Sequence, residues 1–120
     1  MFQKVEIPTK VFLMFKCGAM AVGGLADRLA GVGERGIKDY DLIVPPDKWY
    51  AVSLLIPGSA RLNKHGGLKF VDECGNMVDV WPSSVEQYFR HCSNGFRTRM
   101  YVIDYINSMV FVSYTVGEQR

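Results

Sequence analysis

The sequence predicts an α+β fold, a small mixed β-sheet flanked by helices, on three observations. Short apolar or alternating runs of strand length are interspersed with helical patterns, without the regular alternation of a doubly wound fold. Gly and Pro stand at most of the joins. Hydrophobic residues make up 48% and charged residues 22%, ordinary globular usage, which excludes disordered, collagen-like and coiled-coil chains. The 120 residues match one domain, 1–120, long enough to bury a core without disulfide or metal staples.

The elements follow in order. Residues 9–16 read as a helix started by Pro8 and Thr9. Residues 20–22 form a short buried strand that runs into the turn Gly23-Gly24, and 25–30 a helix stopped by Gly31 and Gly33. Residues 37–44 alternate as a strand closed by Pro45-Pro46, and 47–55 form a helix ended by Pro57-Gly58. Residues 60–63 and 68–71 flank His65-Gly66-Gly67 as a hairpin, and 77–81 are a strand ended by Pro82. Ser83 or Ser84 caps a helix over 85–92, with Glu86 three residues after Ser83 as in a capping box. Residues 99–105 and 109–115 pair as a hairpin around Asn107-Ser108.

A formal net charge of +2, from 14 Lys and Arg against 12 Asp and Glu, is too small for a general nucleic-acid coat. Cys17, Cys74 and Cys92, an odd number with no C-x-x-C pair, argue against a disulfide framework or a zinc ribbon. They are expected as reduced thiols, buried as small hydrophobes, in a cytoplasmic protein. No stretch approaches the roughly 18 apolar residues of a membrane span. Residues 17–26 imitate a signal core, but Glu6 and Lys16 sit badly in such a peptide.

Lys38-Asp39-Tyr40-Asp41-Leu42-Ile43-Val44 is the most informative segment. On a strand Asp39 and Asp41 share one face, about 6–7 Å apart, while Tyr40, Leu42 and Val44 take the other. In Met77-Val78-Asp79-Val80-Trp81 an acid again lies opposite an apolar face. If this strand pairs beside the first, Asp79 joins Asp39 and Asp41. Three carboxylates suit Mg²⁺ or Mn²⁺ rather than zinc, and such ions serve phosphoryl transfer. A bare D-x-D, like a lone Asp, is usually a solvated face; the combination with a phosphate-binding turn is what gives these acids weight. Gly23-Gly24, after an apolar strand and before a helix, leaves its backbone open to a phosphate. Gly31-Val32-Gly33-Glu34-Arg35-Gly36 matches G-x-G-x-x-G but follows a helix and leads into a strand, the reverse of a dinucleotide site.

In this order the motifs resemble the polymerase-β-type nucleotidyltransferase superfamily, over roughly residues 18–92. The nearest likeness is to the head domain of tRNA nucleotidyltransferases and bacterial poly(A) polymerases. Met20-Ala21-Val22-Gly23-Gly24-Leu25-Ala26-Asp27-Arg28 is similar to their V-G-G-x-x-R-D opening, and Lys38-Asp39-Tyr40-Asp41 to their K-D-x-D strand. Asn63 to Phe70, with His65-Gly66-Gly67, together with Val78-Asp79-Val80-Trp81-Pro82, also looks like stand-alone relatives of that head. The resemblance implies a nucleotidyltransferase-like fold that moves an NMP from an NTP to an acceptor hydroxyl and releases pyrophosphate. Asp39, Asp41 and Asp79 would be catalytic and would hold Mg²⁺ or Mn²⁺. Gly23, Gly24, Arg28, Lys38, Arg61 and Lys69 would bind the nucleotide, with Lys64 a further candidate cation.

The chain departs from the family twice. The Arg-Asp pair is inverted as Asp27-Arg28, which turns the arginine by about 100° on a helix. Only 28 residues follow Cys92, so the acceptor site is expected from this small body, a second copy or a partner protein. The acceptor is left open among RNA, protein and small molecules. The alternative reading is a catalytically degenerate module that binds a nucleotide or a partner; a third is an assembly protein with decorative acids. Trp81, sharing the face of Asp79, is a candidate for stacking on a base, as are Trp49 and Tyr50. Tyr101, Tyr105, Phe111 and Tyr114 read as sheet packing, and Arg90, Arg97 and Arg99 as a loose basic surface near His91.

Overall fold

Seven strands and four α-helices follow one another along the residues that the computed structural model describes, 5–32, 36–92 and 99–113. Helix α1 (Thr9–Lys16) starts where the sequence places it, with the Phe12 N–H on the Pro8 carbonyl at 2.9 Å. It buries Val11, Met14 and Phe15, the i, i+3, i+4 face of an amphipathic helix. Strand β1 (Met20–Ala21) leads into α2 (Gly23–Leu29). This helix begins at Gly23 rather than at residue 25, because the two glycines are its first residues.

Strand β2 (Asp39–Val44) starts at Asp39 instead of residue 37. The helix expected over 47–55 is a 3₁₀ turn, Pro46–Lys48, followed by a short α3 (Trp49–Ser53). Pro45 and Pro46 bring no N–H, and the Lys48 N–H closes back on the Pro45 carbonyl at 2.8 Å, three residues away. Then come β3 (Arg61–Leu62), β4 (Leu68–Val71), β5 (Met77–Pro82), α4 (Val85–Cys92), β6 (Met100–Asp104) and β7 (Met109–Ser113). The helix cap is shifted by one residue from Ser83 and Glu86. Ser84 Oγ accepts the Gln87 N–H at 3.1 Å, and Gln87 Oε1 accepts the Ser84 N–H at 3.0 Å. Ser83 cannot take that part, since it is buried and its N–H donates to the Val44 carbonyl at 2.9 Å, extending the sheet.

The strands make one mixed sheet in the order β3-β4-β5-β2-β1-β6-β7. The β2–β5 pair is parallel and the others are antiparallel. A parallel pair needs a crossover, and here it holds α3 and the β3–β4 hairpin, which returns to the sheet beside β5. One face packs Leu42, Val44, Val78, Val80 and Phe70 under α1 and α2. On the other face Ile43, Val22, Met100 and Val102 pack with Tyr88 of α4. The alternation in β2 therefore separates Leu42 and Val44 from Asp39, Asp41 and Ile43.

In the β6–β7 turn Ser108 takes φ 56°, and Asp104 accepts the Asn107 N–H at 3.1 Å and its side-chain amide at 2.7 Å. Tyr101, Tyr105 and Phe111 pack against the core as expected. Tyr114, Thr115 and Arg97 lie outside the described residues, as does the middle of the G-x-G-x-x-G stretch. Cys17 and Cys92 are half-buried free thiols, but Cys74 is exposed in the β4–β5 turn rather than buried. Its N–H donates to Asp72 Oδ1 at 2.9 Å, so the turn sets its place. Among the described residues no helix is long and apolar enough to cross a membrane.

Candidate active site

Strand register puts Asp41 of β2 directly opposite Asp79 of β5. Lys69 of β4 stands opposite Asp79 on its other side, and Arg61 of β3 opposite Lys69. Partners across a ladder share a face, so one row across four strands reads Arg61, Lys69, Asp79, Asp41. Asp39 lies two residues along the same face, opposite Met77, and is exposed. Like charges facing each other on neighbouring strands, with backbones about 4.8 Å apart, destabilise a sheet. A sequence selected for stability alone would not choose this pair.

Two neighbours hold the acids. Gly23 opens α2 with φ +63°, and a Cβ there would come within 3.0 Å of Asp41 Oδ2. The first glycine is thus needed for its backbone angle and for the room it gives the carboxylate. A Cβ at Gly24 would meet nothing within 4 Å, so the protein itself does not require that glycine.

The second neighbour is Asn63, whose part the sequence did not disclose. Its side-chain amide donates to Asp79 Oδ1 at 2.5 Å and reaches the Leu68 carbonyl at 3.3 Å. Its Oδ1 accepts the His65 N–H at 3.0 Å and the Gly67 N–H at 2.7 Å. One amide thereby ties the β3–β4 turn to the acid of β5. Gly67 completes the junction: a Cβ there would run into the Val80 carbonyl and the Trp81 backbone. An Asn opening a Gly-rich turn is a recognisable turn signal, but its reach to Asp79 depends on β4–β5 pairing and is not local.

Beside the acids, His65 stacks on Trp81 with ring centroids 4.5 Å apart and an interplanar angle of 29°. His91 of α4 meets His65 edge-on at 6.2 Å, and Tyr88 lies 6.5 Å from Trp81. Burial pushes the His65 pKa below its ordinary value; Asp79 pulls it upward and is outweighed, with Lys64 and His91 adding to the downward shift. A cavity of about 400 Å³ runs from Gly23 and Asp41 to His65, Trp81 and His91. A larger one, about 550 Å³, lies between α1 and the β4–β5 turn and is lined by none of the three acids.

The other expected ligands are less closely gathered. Arg28 is half-buried in the last turn of α2, and Lys38 is exposed just ahead of β2. Trp49 packs against the main core and Tyr50 is exposed, and neither lines the cavity beside Asp41. Among the described residues no group of three or more His, Cys, Asp or Glu side chains is placed to hold a metal ion.

Comparison with family models and with curated proteins found no match. Among solved structures the chain is similar to a CCA-adding enzyme in complex with ATP, with a TM-score of 0.56 and 16% identity over 87% of this chain. A CCA-adding enzyme in complex with CTP is similar with a TM-score of 0.48 and 16% identity over 92% of this chain. The chain spans 29% and 28% of those two chains. The fold is therefore an α+β arrangement like that of the nucleotidyltransferase domain seen in the CCA-adding enzyme with ATP.

Proposed function

We propose that this chain is a divalent-cation-dependent nucleotidyltransferase, which moves an NMP from an NTP to an acceptor hydroxyl. The observation that carries the reading is the facing pair Asp41 and Asp79, with Gly23 closed on the Asp41 carboxylate. The donor set of Asp39, Asp41 and Asp79 is all carboxylate oxygen, which fits Mg²⁺ or Mn²⁺. These three would hold the ion, which when bound supplies positive charge to the phosphate oxygens. Lys69 and Arg61, in line with the acids on the side of Asp79 away from Asp41, add fixed positive charge to the site. Asn63 engages Asp79 Oδ1 and leaves Oδ2 as the oxygen that takes the acceptor proton. The acceptor oxygen then bonds to the α-phosphorus as the bond to the bridging oxygen breaks, and pyrophosphate leaves.

The test is incubation with each α-labelled NTP, Mg²⁺ or Mn²⁺, and a mixture of RNA, protein and metabolites. Label on any acceptor supports the reading and identifies the acceptor; no label with any NTP opposes it.

Two observations favour a second reading, a nucleotide-binding module without catalysis: Asp79 is already engaged by Asn63, and the acids among the described residues are not gathered into a ready metal cluster. A thermal-shift series separates the two. Stabilisation by NTP that ignores Mg²⁺ favours the module, whereas stabilisation that requires the ion favours the enzyme.

A further inference from the structure

The cavity beside Asp41 has two unlike ends. One is the glycine turn and the carboxylate, Gly23 and Asp41; the other is a wall of flat rings, His65, Trp81 and His91, with Lys64 beside them. At about 400 Å³ it lies within the usual range for small-ligand sites. We infer that the ring wall is a nucleobase subsite, in which the base of the bound NTP stacks against the His65–Trp81 pair while its phosphates lie toward Gly23 and Asp41. This rests on the nucleotidyltransferase reading and adds to it where the base goes.

Four features support it. Trp81 follows Asp79 by two residues on the same strand, so the two side chains share a face about 6.7 Å apart. A ribose spans a comparable gap between a base and its first phosphate. The turn that carries His65 is held by its backbone N–H on Asn63 Oδ1, and the ring itself rests on Trp81 with centroids 4.5 Å apart. Trp81 packs against the Val22, Ile43 and Tyr88 cluster, yet it and His65 are only half-buried, so part of the wall stays open. Finally, the same Asn63 fixes both His65 and Asp79, which couples the geometry of the base end to that of the acid end. Stacking uses the π-face that every base possesses, so the wall itself discriminates little among the four NTPs.

The probe is 2-aminopurine ribonucleoside triphosphate, whose emission is quenched when it stacks, with inorganic tripolyphosphate as the ligand without a base. With the wild-type protein and Mg²⁺ the expected result is quenching on binding. His65→Ala and Trp81→Leu each weaken the triphosphate roughly ten-fold or more. Tripolyphosphate affinity, read by calorimetry, stays within two-fold in the same variants. His91→Ala, at an exposed position, provides a third variant that does not threaten folding, with a smaller loss expected. If the probe binds the wild type with full emission, or if all three variants bind it as the wild type does, the base subsite is overturned and the transfer reading stands. If quenching requires the base at the 3′ end of an oligoribonucleotide and never occurs with the triphosphate, the assignment to the NTP is overturned. If neither triphosphate nor tripolyphosphate binds the wild type, the transfer reading itself fails, and this inference with it.

Discussion

Asn63 donates its side-chain amide to Asp79 Oδ1 at 2.5 Å while its own oxygen takes two N–H groups of the β3–β4 turn. A residue of one hairpin thereby sets the orientation of an acid on the next strand. Asn63→Ala removes the acceptor for the His65 and Gly67 N–H groups and the donor to Asp79. The expected cost is about 1–3 kcal/mol of folding stability, measured by urea unfolding. A loss below about 0.5 kcal/mol would show that water replaces the amide without difficulty.

The two glycines are expected to behave differently. Gly23→Ala places a methyl group against Asp41 and forces a side chain into positive φ, at a cost of about 1–2 kcal/mol. Gly24→Ala meets open space at a helical position, so it folds as well as the wild type or better, by up to about 1 kcal/mol. Both variants lose nucleotide affinity if phosphates approach this turn. Normal NTP binding by Gly24→Ala in calorimetry would remove the phosphate role of the second glycine.

The facing acids predict a conflict between stability and activity. Asp79→Asn removes one of two opposed charges and keeps an acceptor for Asn63; the neighbouring Lys69 is exposed and contributes little. Its Tm is expected to equal or exceed that of the wild type, with a gain of about 0.2–1 kcal/mol, while nucleotidyl transfer falls. A clear drop in Tm would mean that the Asp79 charge stabilises the fold.

His65 gives a pH dependence. Burial lowers its pKa in the folded state, so below pH 6.5 the unfolded chain binds the proton more readily. Stability from this group is complete above the ordinary value and is lost as the pH falls from 6.5 toward the lowered one. Between pH 7.5 and 5.5 the wild-type Tm is expected to drop more than that of His65→Gln. Parallel curves would show that His65 feels no such penalty.

The fold was legible wherever the signal is local. Helix α1 and strand β5 follow from apolar spacing and a flanking proline, and the shared face of Asp39 and Asp41 follows from the period of a strand. What escaped depends on partners distant in the chain. Ser83 reads as a helix cap until its N–H is seen to continue the sheet, which passes the cap to Ser84 and Gln87. Pro45 and Pro46 read as the end of a strand, yet by withholding donors they also tighten the turn that follows to 3₁₀. Asp79 beside Asp41 was an expectation conditional on strand pairing, and the parallel register supplied it. The Asn63 bond to Asp79 and the His65–Trp81 stack arise only when β4 lies on β5, and no pattern in residues 60–70 announces them.

Transfer of label from α-labelled NTP in the presence of Mg²⁺ tests the role of the facing acids most directly, comparing the wild type with Asp41→Asn and Asp79→Asn, each shown to be folded by circular dichroism. The wild type is predicted to label an acceptor, and each variant to do so about a hundred-fold more slowly or worse. Wild-type rates in both folded variants would contradict the account.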